Sequence, residues 1–368
     1  MRIAYFTDTY HPQINGVVQA ISDFEVELKK RGHEIFIFYP KTKGGISDRY
    51  HIPVPSFTFP KYKEYRAPLM TLRLISRTRK INPDIIHVQT PASIGFGGML
   101  VAKALEKPLV MHYHTLMPEY FSYFLGRFYK LKSVKSVSQR LIWKYTKFLY
   151  NKADLILVPS QSIKELLLKR GIRKEIIVLP NPVKLSAHKK LSHKGINILH
   201  VGRLCKEKSI DVVLRAFKKI ERPGINLIIT SDGPDRKRLE NLAKNLKIKN
   251  IKFTGYLPRH ELDKIYATSD IFVSASRTET FGLVFIEAFK FGVPVVCFPA
   301  LGAKDVVQDR LNGLFARTAD EMAEKIKTLI EDKNMRAKLS HGAKKSVPQY
   351  SVEKITKDLE KIYSSLLK

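Results

Sequence analysis

Short aliphatic and β-branched runs alternate along the chain with segments of helical period, and this alternation is the pattern of a parallel α/β sheet. In the first half the strand-like runs are Arg2–Thr7, Glu34–Tyr39, Ile85–Gln89, Leu109–His114 and Leu155–Pro159. In the second half they are Asn197–Val201, Asn226–Thr230, Ile251–Thr254, Ile271–Ala275 and Val293–Phe298. Helical segments such as Val17–Arg31, Ile163–Lys169, Val212–Lys219, Arg236–Lys244 and Leu283–Phe291 fall between them. An eight-stranded barrel competes with two doubly wound sheets, and one interruption decides between them. Leu179-Pro180-Asn181-Pro182-Val183 opens a polar stretch that runs to Gly195. Two prolines in three residues continue neither a strand nor a helix, so an interdomain linker is expected near residues 182–194. The predicted fold class is therefore α/β, with two doubly wound Rossmann-like domains over residues 1–184 and 185–350. A last helix over 351–368 follows Pro348 and is expected to pack back on the first domain.

A length of 368 residues with 44% hydrophobic composition supports two cores of this kind. Cys205 and Cys297 are too few for a disulfide framework or a Cys-rich metal site, and they fit a reducing cytoplasm. No run of 18 apolar residues is present, and Met1 to Asp8 reads as a first strand and not as a signal peptide. The charge is unusual: 65 Lys and Arg against 34 Asp and Glu give +31. Such an excess implies an anionic partner, unless it is only a lysine-rich solvated surface. Nucleic acid is disfavoured because no binding motif accompanies the charge.

The most specific stretch runs from Ser276 to Ala288. A strand ends, a polar loop holding Glu279 and Gly282 follows, and a helix begins, so unpaired N–H groups and a positive dipole end face an anion. Glu279 in the loop and Glu287 in the helix could grip two hydroxyl-bearing parts of one ligand. They could equally be a helix-cap neighbour and a surface residue. Gly95-Phe96-Gly97-Gly98 lacks a full dinucleotide fingerprint and reads as close helix–sheet packing. Ser231-Asp232-Gly233-Pro234 is a strand-end turn, and Thr254 to Leu257 is either another turn or a segment that wraps a base through its backbone.

Glu279 and Glu287, around Phe281-Gly282-Leu283 and ahead of Gly292 to Val296, resemble the donor-site signature of the family-4 retaining glycosyltransferases. Tyr10 to Val17 is similar to that family's first loop, His112-Tyr113-His114-Thr115 to its histidine strand, Gly202 to Lys208 to its basic donor motif, and Asn312-Gly313-Leu314 to a late turn. The resemblance implies the GT-B architecture, with two Rossmann-like domains facing each other across a cleft. It implies a metal-independent hexosyltransferase that uses a nucleotide-sugar donor, and no cofactor beyond that co-substrate. Arg203 and Lys208 would neutralise the donor diphosphate, and Gly16 would approach it with its backbone. Glu287 would hold the ribose, Glu279 the donor sugar, and the N–H groups of Phe281, Gly282 and Leu283 would face sugar and phosphate. Gly233 would line the nucleotide side. His114 would lie near the reacting carbon, and His112 competes for that role. His114 is favoured because it directly precedes Thr115, with His112 expected on the opposite face of the strand.

Glu119 to Lys152 is basic and aromatic, with Glu119 its sole acid. Arg127, Lys130, Arg140, Lys144 and Lys147 interleave there with Phe128, Tyr129, Trp143, Tyr145 and Phe148. Arg140, Lys144 and Lys147 form one helical stripe beside Leu141, Tyr145 and Phe148. Arg73, Arg77 and Lys80 recur beside Leu69, Leu72 and Ile75. Such stripes suit an anionic membrane surface, unless the aromatics enter the domain core. The expected enzyme is cytoplasmic and bound peripherally to the inner face of the cell membrane. It would move glucose from UDP-glucose, or next mannose, to a lipid acceptor such as diacylglycerol. A soluble sugar acceptor or a sugar-nucleotide epimerase is the alternative.

Overall fold

The structure, a computed structural model, describes residues 1–13, 15–59, 62–68, 73–117, 132–185 and 189–368. The chain forms two compact units, Met1–Lys184 with Tyr350–Lys368, and Leu185–Gln349.

In the first unit the elements follow the order β1 (Arg2–Phe6), α1 (Gly16–Lys30), β2 (Glu34–Pro40), β3 (His51–Val54), β4 (Ser56–Phe59), β5 (Tyr62–Pro68), α2 (Arg73–Ile81), β6 (Ile85–Val88), α3 (Ser93–Leu105), β7 (Leu109–His112), α4 (Lys132–Tyr150), β8 (Leu155–Val158), α5 (Gln161–Lys169) and β9 (Ile176–Val178). Seven strands make one sheet in the order β3-β2-β1-β6-β7-β8-β9, and β4 and β5 pair as a separate hairpin. Ile3, Ala4, Tyr5 and Phe6 of β1 are all buried. Both faces of that strand are therefore covered, as a parallel sheet under helices requires. The second unit contains β10 (Ile196–Val201), α6 (Ile210–Ile220), β11 (Ile225–Thr230), α7 (Arg236–Asn245), β12 (Ile251–Gly255), α8 (Arg259–Ala267), β13 (Ile271–Ser274), α9 (Leu283–Lys290), β14 (Val295–Cys297), α10 (Ala303–Val306), β15 (Gly313–Phe315), α11 (Ala319–Glu331) and α12 (Lys333–Lys345). Its parallel sheet runs β12-β11-β10-β13-β14-β15. After α12 the chain returns to the first unit as α13 (Val352–Leu366). There Ile355, Leu359 and Tyr363 enter one core cluster with Ile21, Phe24 and Leu28 of α1.

Each unit thus winds outward from its first strand in one direction and then in the other. The reversal falls between β1 and β6 in one sheet and between β10 and β13 in the other. Loops leaving the carboxyl ends of those strands diverge at such a point, which is where doubly wound sheets take ligands. The additional strands are the β4–β5 hairpin and β3, β9 and β15, which are three or four residues long and lie at sheet edges. The run from Val293 to Phe298 pairs only over Val295–Cys297, and the strand ending at His114 pairs only to His112.

Candidate active site

In the second unit, the residues expected to bind the donor cluster on the loops that leave β10 and β13. Lys208 closes a short 3-10 turn, Lys206–Lys208, after β10. Its ammonium meets the Glu279 carboxylate at 2.5 Å. Both side chains are largely buried, at 18% and 13% exposure. Burial works to raise the Glu279 carboxyl, but the charge and hydrogen bond of Lys208, with help from Ser276, hold it below the usual carboxylate range. Glu279 is therefore an ionised anion locked to a cation, and not a helix-cap neighbour.

Close backbone contacts fix these loops. A Cβ on Gly233 would lie 2.3 Å from the Leu204 carbonyl oxygen, so only glycine lets the turn after β11 rest on the Arg203-Leu204 loop. Leu204 N–H donates to the Asp232 carbonyl (3.0 Å), and Asp235 N–H returns a bond to Leu204 (2.9 Å). Gly282 caps α9 with φ +90° and faces the Phe285 ring, where a Cβ would sit 2.4 Å away. Phe281 is buried, and Leu283 opens the helix half-buried. Arg203 is half-buried beside Leu204.

Glu287 lies on α9, just beyond its first turn. It is not a free surface residue, because Arg259 of α8 donates to one carboxylate oxygen and the Tyr266 hydroxyl to the other at 3.1 Å. His200 on β10 was not anticipated from the sequence. Its Nδ1–H donates to the Val273 carbonyl (2.9 Å), and its ring lies within the fields of Lys208 and Glu279. Burial pushes it down to about 4, so it is neutral near pH 7. Asn312, in the late turn, is fully buried and bonds Gln308, Val306 and Ser346, which is a structural role.

In the first unit Gly16 is the exposed first residue of α1, which Asn15 caps by accepting from the Val17 and Val18 N–H groups at 3.0 Å. His114 follows β7 and is buried. The expectation that His112 faces the opposite side of the strand is overturned: the two rings stack 3.8 Å apart. Residues two apart on an extended chain project from the same face, so the pair cannot be separated by strand alternation. Burial lowers His114 to about 3, partly offset by the Asn181 side chain, and drives His112 well below its ordinary value. Gly95 and Gly98 do serve packing, since Cβ atoms there would lie 1.8 Å from Thr90 O and 2.6 Å from the Phe6 ring.

Helix α4 has two unlike faces. Ser138, Ile142, Thr146 and Leu149 are buried. Arg140, Lys144 and Lys147 are exposed. Beside them Leu141 and Phe148 stay 59% and 52% exposed, and Tyr145 37%. Leu141 and Phe148 therefore do not enter the domain core, whereas Tyr145 is tied down by donating its hydroxyl to the Pro91 carbonyl at 2.9 Å. Trp143 sits off this stripe, half-buried with the Arg170 guanidinium 4.6 Å above its ring. On α2, Arg73, Arg77 and Lys80 are also exposed, with Ile75 half-buried. Arg127, Lys130, Leu69 and Leu72 lie outside the described residues. Among the described residues no helix is long and apolar enough to cross a membrane, and no cluster of His, Cys, Asp or Glu is arranged to hold a metal.

Two doubly wound parallel sheets, with Gly16 after β1 and with Lys208 and Glu279 after β10 and β13, make the GT-B architecture. The fold recurs in the Anabaena protein HepE solved with UDP-glucose, at TM-score 0.80 and 21% identity over 99% of this chain and 100% of that one. Family profiles agree: "Glycosyltransferase Family 4" matches residues 14–187 and "Glycosyl transferases group 1" matches residues 184–346. The alpha-monoglucosyldiacylglycerol synthase of Streptococcus pneumoniae is 29% identical over 99% of this chain and 85% of its own length. A GDP-mannose-dependent alpha-mannosyltransferase of Mycobacterium tuberculosis is 30% identical over 85% and 83%. The chain belongs to the family-4 glycosyltransferases and is a hexosyltransferase.

Proposed function

We propose that this enzyme transfers a hexose, with retention, from a nucleotide sugar to the hydroxyl of a membrane lipid such as diacylglycerol. UDP-glucose is the favoured donor and GDP-mannose the next. The name of the pneumococcal relative supports the glucosyl-lipid reading, and that of the mycobacterial one supports the mannosyl alternative. In the step itself the acceptor oxygen bonds the anomeric carbon while the carbon–oxygen bond to the diphosphate breaks. The bonding pair leaves with the phosphate, and the acceptor proton passes to a phosphate oxygen on the same face. Arg203 and Lys208 stabilise the departing charge, an electrostatic task suited to a largely buried cation. Glu279, pinned by Lys208, is placed to take donor-sugar hydroxyls, and Glu287 to take the ribose. Gly233 and the N–H groups from Phe281 to Leu283 are assigned to the phosphates and nucleotide, and Gly16 to the diphosphate. His114, held neutral, is assigned to the reacting carbon. No step in this scheme requires a metal.

The observation that carries the lipid reading is the outer face of α4. Apolar Leu141 and Phe148 beside Arg140, Lys144 and Lys147, with the ring of Tyr145 between them, form an exposed stripe suited to the anionic inner face of the cell membrane. Each basic residue near such a surface contributes about 1 kcal/mol, so the three supply about 3 kcal/mol. Replacing Arg140, Lys144 and Lys147 together by Glu should abolish co-sedimentation with anionic vesicles while slow donor hydrolysis survives. Unchanged sedimentation would refute the docking role.

A further inference from the structure

Behind His114 lies a buried polar array. The His112 ring stacks on His114 at 3.8 Å and on His87 at 5.6 Å. Gln89, just past β6, spans the outer two: its Oε1 lies 2.8 Å from His114 Nε2, and its Nε2 lies 3.2 Å from His87 Nδ1. The Tyr363 hydroxyl, on α13, reaches the same His87 Nδ1 at 2.6 Å, and the Tyr5 hydroxyl lies 3.2 Å from that of Tyr363. All six side chains are buried.

Burial keeps the three imidazoles neutral, so each carries one N–H and one bare nitrogen. A carboxamide donates at one end and accepts at the other. When Gln89 donates to a bare His87 Nδ1, its oxygen must accept a proton from His114 Nε2. The reverse arrangement would put the proton on His87 Nδ1 and strip His114 Nε2. The carboxamide lies with its oxygen toward His114 and its NH2 toward His87, which is the first arrangement, and a Tyr363 hydroxyl donating to His87 Nδ1 would hold that nitrogen bare.

We propose that Tyr363, His87 and Gln89 are positioning residues that lock His114 as its Nε2–H tautomer, so that the C-terminal helix sets the proton position in the histidine assigned to the reaction. The proposal rests on the reading of His114 given above. Its lone pair then lies on the buried Nδ1. Among the described residues, His112 from β7, His87 from β6, Gln89 just past it and Asn181 face His114.

The test uses the full chain labelled with 15N-histidine, with His114 signals assigned by their loss in His114→Asn. Long-range proton–nitrogen spectra distinguish the two tautomers directly. Native protein should show His114 as Nε2–H and neutral from pH 5 to 9. Tyr363→Phe removes one hydroxyl and keeps the ring, and should convert His114 to a mixture of tautomers. It should lower kcat several-fold with donor KM unchanged. Gln89→Glu has the same shape but only accepts, so its carboxylate should favour the imidazolium and raise the His114 titration by at least about one pH unit. A His114 spectrum unchanged in both variants would overturn the proposal, as would a native Nδ1–H tautomer. Spectral changes without any effect on kcat or its pH profile would sustain the relay and overturn the catalytic reading of His114.

Discussion

Replacing Lys208 by alanine tests the donor site through two quantities that should separate. The change removes the ammonium paired with Glu279 at 2.5 Å, a carboxylate whose side chain is 13% exposed. Breaking a buried pair from one side costs about 3–5 kcal/mol, because the remaining charge has lost its partner and not regained water. Both groups here keep some solvent contact, which places the cost near 3 kcal/mol. For a unit of this size that corresponds to about 6–12 °C in the Tm of the second unit. Transfer should fall about 10²–10³-fold as well, since one charge on the leaving diphosphate is gone. Adding Glu279→Gln to Lys208→Ala removes the stranded carboxylate and should restore most of the stability while leaving transfer low. Calorimetry of the full-length variants, alongside donor hydrolysis and transfer assays, reads both effects. A Lys208→Ala protein as stable as the parent would refute the ion-pair argument. Recovery of transfer in the double variant would refute the assignment of Lys208 to the diphosphate.

Gly233→Ala should destabilise the second unit by about 1–3 kcal/mol and depress transfer, because the new Cβ meets the Leu204 backbone at 2.3 Å and displaces the Arg203 loop. Urea unfolding and kcat measure the two effects, and a neutral result would remove Gly233 from the account. Acid should weaken the fold through its buried neutral histidines. His87, His112, His114 and His200 are all held below their ordinary value of 6.5. The unfolded chain then binds protons that the native chain refuses, so stability is full above pH 6.5 and falls below it. Each histidine contributes a loss of about 1.4 kcal/mol at one pH unit under that value. Urea midpoints compared at pH 7.5 and 5.5 test this, and His87→Asn should reduce the slope.

The class of fold was legible because both sheets are buried on two faces, so their inner strands read as continuous apolar runs. Of the strands that escaped notice, His51–Val54, Ile176–Val178 and Gly313–Phe315 are edge strands of three or four residues, too short to carry a period, and Ser56–Phe59 and Tyr62–Pro68 form the separate hairpin. At the site, Gly282, Glu279 and the basic loop stand out by local spacing. Their partners do not. Lys208 meets Glu279 across 71 residues, and Tyr363 meets His87 across 276, separations that only the tertiary fold closes. Arg259 and Tyr266, which hold Glu287, carry no motif of their own. Helical period showed that α4 has distinct stripes but not which stripe the sheet would cover. Ile142 and Leu149 were taken inward, and Leu141 and Phe148 were left outside.

The central claim is tested most directly by incubating the purified chain with UDP-glucose labelled in the sugar and with vesicles containing diacylglycerol and an anionic phospholipid. The extracted product's mass and anomeric proton coupling are then measured. The expected product is a glucosyl-diacylglycerol whose glycosidic bond keeps the α configuration of the donor, formed equally well with EDTA present. Transfer confined to soluble sugars, a β-linked product, or a donor that is only epimerised would contradict it.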